Sequence, residues 1–144
     1  MKKITALLFA AATVTGCANT HSTGDVDAAK LQHHRYVLES VNGQALKQDG
    51  KPGRQPELNF GENLHVSGAM CNRFMGQGKL TGNTLKVDGM AMTRMMCVDP
   101  TLNELDGTIN KMLSAGANVS IAQNQLTLTQ GDTTLVYKLA DLVQ

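Results

Sequence analysis

Two short stretches concentrate the side chains able to do chemistry: Ser67-Gly68-Ala69-Met70-Cys71-Asn72-Arg73-Phe74 and Met90-Ala91-Met92-Thr93-Arg94-Met95-Met96-Cys97. Each carries one cysteine and one arginine, with one methionine in the first and four in the second. A thiol becomes a catalytic nucleophile when a base lies within hydrogen-bond reach and its pKa is depressed. His33, His34 or His65 could serve Cys71 as base, but no flanking signature marks such a pair, and Cys97 gives the thiol a simpler fate. Thioether and thiolate sulfur also selects Cu(I), and Met70, Met75, Met90, Met92, Met95 and Met96 cluster around the two cysteines. With three Phe, two Tyr and no Trp in the chain, methionine is equally suited to filling irregular core gaps. Strand alternation lets only half of such a cluster share one face, so core packing is favoured over a copper site. His33 and His34 are adjacent, and adjacent side chains diverge on a helix or strand, so no metal site is read from them. Asn72, Arg73 and Arg94 form a polar patch suited to structural hydrogen bonding ahead of ligand binding. No catalytic residue and no cofactor emerges, and the expectation is a protein that is not an enzyme.

The compartment follows from the N-terminus. Met1-Lys2-Lys3 is a short basic stretch, and Ile4 to Val14 is apolar apart from Thr5 and Thr13. That run is too short for a membrane-spanning helix, which needs about 20 apolar residues, but it suits a secretory signal. It ends in Val14-Thr15-Gly16-Cys17, which resembles a bacterial lipobox with cleavage after Gly16 and lipid attached to Cys17. Ala18, in place of Asp, resembles the outer-membrane sorting class of such lipoproteins, with the domain facing the periplasm. Removing residues 1–16 leaves 128 residues with 11 Lys+Arg against 12 Asp+Glu. Near-neutral charge without a basic run excludes nucleic acid, which needs clustered cations. The expected partners are the membrane, through the lipid, and an envelope protein or cell-wall component; the domain is expected to be a monomer.

With Cys17 given to lipid, Cys71 and Cys97 remain as a pair in an oxidising compartment, where bridging is favoured. The alternative is two buried thiols packing as small hydrophobes. Both cysteines sit where a strand gives way to a turn or helix. A bridge would require the strand ending at Met70 to neighbour the one ending near Met96.

The elements that position these residues read as α+β: mostly antiparallel strands in a curved sheet or partial-barrel meander, with one packed amphipathic helix near residues 100–115. Residues 18–26 are small and polar, and residues 17–30 as a whole read as the lipidated cysteine and a tether. Asp27 to His34 can form a helical turn with Asp25 or Asp27 as N-cap. Arg35 to Val41 is a strand, Asn42-Gly43 signals a hairpin, and residues 44–56 read as a surface loop. Glu57 to Phe60 and the stretch carrying Leu64, Val66 and Met70 read as strands. Gly76 and Gly78 suggest a tight bend. Lys79 to Thr81 and Thr84 to Val87 pair across Gly82-Asn83, and Met90 to Thr93 reads as a separate strand. Asp99 as N-cap, Pro100 at N1, and Leu102, Leu105, Ile109, Met112 and Leu113 at three- and four-residue steps predict the helix, closed by Gly116. Three strands follow, over 118–122, 125–129 and 133–139.

Residues 31–43, Met70-Cys71-Asn72-Arg73-Phe74-Met75-Gly76, Met90 to Cys97 and Tyr137 to Leu142 together resemble the META/HslJ domain family, over residues 31–143. The family's Gly-Cys-Asn-x-x-x-Gly element is matched by Cys71, Asn72 and Gly76, with Met70 in place of the first glycine. Its Thr-x-Met-x-Cys element is matched by Thr93, Met95 and Cys97. The resemblance implies a mostly-β domain with a helix on a curved sheet. It also implies a heat-induced, outer-membrane-associated lipoprotein of the envelope stress response, linked to novobiocin resistance and without established catalytic residues.

Overall fold

The computed structural model describes residues 26–47 and 55–141. The signal over 1–16, Cys17 and Ala18, most of the tether, part of the loop over 44–56, and Leu142 and Val143 lie outside the described residues.

The chain begins with a single helical turn, α1 (Ala28–Leu31), capped by the Asp27 carboxylate, which accepts the Ala29 N–H. Within the stretch assigned to the tether, Val26 and Ala28 pack against the core, and the Val26 N–H donates to Asn83 Oδ1 at 2.6 Å. The strands are β1 (His34–Val41), β2 (Gln44–Ala45), β3 (Glu57–Phe60), β4 (His65–Ala69), β5 (Arg73–Thr81) and β6 (Thr84–Met92), followed by α2 (Pro100–Ala115) and then β7 (Ala117–Ala122), β8 (Gln125–Gln130) and β9 (Thr133–Leu139). All pair antiparallel in one sheet, and β1 also pairs with β9, which closes every strand except β2 into a barrel. β2 is a two-residue strand on β1, inside the segment read from sequence as loop. The barrel closure explains the alternating burial along the strands: one face of each looks into a shared core, and the other meets solvent.

The weakest joint in the ring is between β6 and β7, which pair at only two positions, Thr84 with Asn118 and Leu85 with Ala117. α2 packs beside this gap. Its buried stripe of Leu105, Ile109, Met112 and Leu113 joins the core formed by Leu38, Leu58, Val66, Phe74, Leu85, Leu126, Leu135 and Tyr137. The helix starts and stops where its residue types require. Asp99 Oδ1 accepts the Thr101 N–H at 2.8 Å and Pro100 sits in the first turn. Gly116, at φ +107°, ends it by donating its N–H to Met112 O. Gln130 Nε2 reaches over to donate to the same Met112 carbonyl and to that of Gly116, at 3.2 and 2.9 Å, tying β8 to the helix end.

Two expectations are corrected here. Gly76 and Gly78 make no bend, because Arg73 to Thr81 is one continuous strand. A Cβ on Gly76 would lie 2.5 Å from Val87 Cγ1, and one on Gly78 would lie 2.5 Å from Leu64 O. Glycine stands there because the neighbouring chain, Val87 on β6 and Leu64 just before β4, comes too close for any side chain. Met90 to Thr93 is likewise not a separate strand: β6 runs unbroken to Met92. Met75 faces Ala91 while Gln77 faces Asp88, so Gly89 and Met90 form the extra length of a bulge, with Gly89 at φ +61°.

Candidate functional site

The two chemically loaded stretches meet at one end of the barrel. Met70 to Asn72 form the turn between β4 and β5, and residues 93–99 lead from β6 over this turn to the start of α2. Asn72 is the hub. Its amide nitrogen donates to Asp106 Oδ2 at 2.7 Å and to Met95 O at 2.9 Å. Its oxygen accepts from the Thr93 hydroxyl at 2.9 Å and from the Met95 N–H. All four hydrogen-bonding positions of the buried amide are thereby used. Asp106, on the inward face of α2, accepts the backbone N–H groups of both Cys71 (3.0 Å) and Asn72 (2.9 Å) through Oδ1. The Thr93 hydroxyl in turn accepts the Arg73 N–H at 3.0 Å.

The cysteines close this knot. Cys71 and Cys97 are bridged, with Cα atoms 5.8 Å apart, inside the range a disulfide requires. Asn103 holds the other side: its oxygen accepts the Cys97 N–H, and its amide nitrogen donates to Cys97 O and Asp99 O. The bridge therefore ties the β4–β5 turn to the chain two residues before the helix cap. The strands on either side of it are not neighbours as expected, since β5 lies between β4 and β6. The pair meets because both chain ends fold over the same end of β5.

Among the residues read as a site, Cys71, Asn72, Thr93 and Cys97 come together in the knot. Phe74 points into the core, and Gly76 serves strand packing. Arg73 and Arg94 are exposed and form no ion pair among the described residues. The methionines divide. Met70 is buried and Met90 and Met92 pack against the core, as core filling predicts. Met75, Met95 and Met96 are exposed, which core filling does not predict. The sulfur set is thus spread from the interior to the surface. Met70 is not among the residues with positive φ, so its place in the turn does not depend on glycine.

His34 and His65 lie at the other end of the barrel, where β1 and β4 begin, away from Cys71 at the end of β4. His34 has its own partner: Nδ1 pairs with Asp141 Oδ2, while Asp141 Oδ1 accepts the Arg35 N–H at 2.8 Å. Desolvation raises the Asp141 carboxyl, but the Arg35 N–H and the His34 ring outweigh it and hold the group below its usual range. Arg35 Nε continues the chain to Glu57 Oε2 at 2.8 Å. This row latches the end of β9 to β1 beside a shallow recess lined by His33, His34, Arg35, Asn59 and Asp141.

Sequence reasoning missed Asp106 and Asn103. A carboxylate one step after Leu105 looks like the polar side of an amphipathic helix, and only its three incoming N–H groups reveal an inward role. Asn103 had a weak signal, standing four residues after a capping aspartate.

Residues 29–141 match the META domain, and residues 1–18 match the prokaryotic membrane lipoprotein lipid attachment site. The chain is 50% identical over 143 residues to heat shock protein HslJ of Escherichia coli (strain K12), covering 99% of each. A solved NMR structure at 55% identity superposes with a TM-score of 0.75, covering 83% of this chain and 99% of that one. A second, from Burkholderia xenovorans, shares 23% identity and the fold, with a TM-score of 0.62 over 78% of this chain and 86% of that one. The attachment-site match marks a lipid-anchored protein of the bacterial envelope. On the strength of the domain match and of the full-length relative, the chain belongs to the META domain family.

Proposed function

We propose that this is a non-catalytic outer-membrane lipoprotein of the heat-shock and envelope-stress response. Residues 1–16 act as the signal, Cys17 carries the lipid, residues 17–30 link it to the domain with Val26 and Ala28 already packed on the core, and residues 31–143 form a monomeric domain in the periplasm. It works by binding an envelope protein or cell-wall component, and it supports tolerance to novobiocin. The observation that carries the non-catalytic reading is the saturation of the family motif by its own members and by Asp106 of α2. The Cys71 sulfur is bonded to Cys97, and the Asn72 amide has its four partners. A nucleophile needs a free thiolate beside a base, and the motif leaves neither. No cofactor enters the reading. The copper alternative asks sulfurs from a buried Met70 and a Met96 that is 90% exposed to act together, and no observation favours it. The relative's name, heat shock protein HslJ, and the attachment-site match support the stress and envelope parts.

The test is complementation of a strain lacking the protein, read as the novobiocin concentration that halts growth. The parent chain is expected to restore tolerance, while Cys17→Ser and the inner-membrane-directed Ala18→Asp are not. Full restoration by Cys17→Ser would overturn the anchored reading.

A further inference from the structure

The large apolar side chains exposed among the described residues are Met75 (53%), Met95 (60%), Met96 (90%) and Val98 (102%). Methionine and valine are ordinarily among the residues folding buries, so their gathering needs a reason. Three of them ride on the segment over the knot. The fourth, Met75, stands on the outer face of β5 two positions from Arg73, opposite exposed Ala91. Arg73 and Arg94 flank the group, and neither has a carboxylate partner among the described residues. The other exposed cations of this hairpin are matched, since Lys79 and Lys86 both reach Asp88. Asp99, the nearest acidic residue in sequence, is engaged in capping α2.

The backbone holds this ledge in a fixed position. Met95 is gripped through both its N–H and its C=O by Asn72, and Cys97 is fixed by the bridge and by Asn103. A loop made only to connect β6 to α2 needs none of these ties, and they commit the exposed side chains to one presentation. Apolar tips beside unpaired guanidinium groups match the boundary of a bilayer, where acyl chains lie below anionic phosphates.

Chain length supplies the occupant. Between Cys17 and Val26 there are nine Cα steps, which span at most about 32 Å in any arrangement. Val26 is pinned at the β5–β6 turn by Asn83, and the ledge lies at the far end of β5, about 27 Å away for its nine residues. The tether's reach therefore exceeds the length of β5, so the lipid on Cys17 and the ledge can meet the same membrane at once. We propose that the ledge of Arg73, Met75, Arg94, Met95, Met96 and Val98 docks on the anionic lipid surface to which the chain is anchored, laying the barrel along the membrane. This inference rests on the lipoprotein reading and adds a second, reversible contact to it.

The absence of tryptophan from the chain makes the test clean. The full lipidated chain carrying Met96→Trp is reconstituted into phosphatidylethanolamine–phosphatidylglycerol vesicles, with and without bromine on the acyl chains. A second chain carries Thr81→Trp at the opposite, Asn83 end. Vesicle flotation reports the lipid anchor separately, so a failed anchor is distinguished from a failed dock. Docking predicts blue-shifted emission and quenching by brominated chains for Met96→Trp. Adding Arg73→Glu and Arg94→Glu should weaken the docked population by about 25-fold or more, from two interfacial cations. Water-like, unquenched emission from Met96→Trp in vesicles that float would overturn the proposal, as would quenching of Thr81→Trp alone. Quenching that ignores the arginine reversals overturns the anionic-surface assignment. Emission that turns apolar only in native envelope membranes, and not in protein-free vesicles, also overturns it and points to a protein partner.

Discussion

At the scale of single residues, the polar groups that matter are those with several partners at once. Asp141 is one, joining His34 and the Arg35 N–H at the end of β9. Its carboxyl is held below the usual range, because those two contacts outweigh its desolvation. A group with a depressed folded-state pKa adds stability above its unfolded value, near pH 4, and loses it as pH falls through the lower folded value. Asp141→Asn is therefore expected to be less stable than the parent at neutral pH, by up to about 1 kcal/mol for a pair this exposed. The two should converge as pH falls below the unfolded carboxylate value and through the lower folded one, as measured by urea unfolding across a pH series. A gap that persists unchanged to pH 2 would show that charge is not the cause. Asp106 and Asn103 show why such residues escape a reading of sequence: their roles are set by backbone N–H groups brought from 30 or more and from six residues away respectively. No local pattern encodes the first of these.

At the scale of elements, punctuation was legible where it acts locally and illegible where it acts between neighbouring strands. Asp99, Pro100, the apolar stripe and Gly116 specify α2 by themselves, and Asn42-Gly43 and Gly82-Asn83 specify their hairpins. Gly76 and Gly78 carry the same letter for a different reason, which becomes visible only once Val87 and Leu64 are placed beside them. Gly76→Val should therefore destabilise through overpacking, by about 1–3 kcal/mol. A thermal midpoint equal to the parent's would contradict the close-packing account and revive the bend. The methionines were half legible for a related reason, since burial depends on which face of a strand or loop each one takes. The disulfide closes a separation of 26 residues, for which the chain-entropy account gives about 3 kcal/mol. Reduction is expected to lower the midpoint by about 10 °C in a domain of this size, leaving a chain that still folds. Two reactive thiols per chain, counted under denaturing and non-reducing conditions on protein taken from the periplasm, would show that the bridge does not form there.

At the scale of the whole molecule, the barrel's closure by β1 and β9 joins residues about a hundred positions apart, and no spacing in the chain announces that partnership. The curved, mostly antiparallel meander with one helix was legible, and apart from the short β2 the strands do follow one another round the sheet in chain order; the pairing of β1 with β9 was not. Closure also means that the knot around Asn72 sits on the path joining sheet to helix, because it binds the β4–β5 turn, the segment after β6 and Asp106 of α2 together. Its loss should appear in the stability of the entire domain and not as fraying at one end. The central claim is that the family motif is structural, and urea unfolding of Asn72→Ala beside the parent chain, both oxidised, tests it most directly. The substitution removes four hydrogen bonds and leaves a buried Asp106 oxygen without its amide donor. The predicted result is a single cooperative transition with stability lowered by about 2–4 kcal/mol. A variant that unfolds within about 0.5 kcal/mol of the parent while losing its effect on novobiocin tolerance would contradict the claim, and would mark Asn72 as a residue of function rather than of fold.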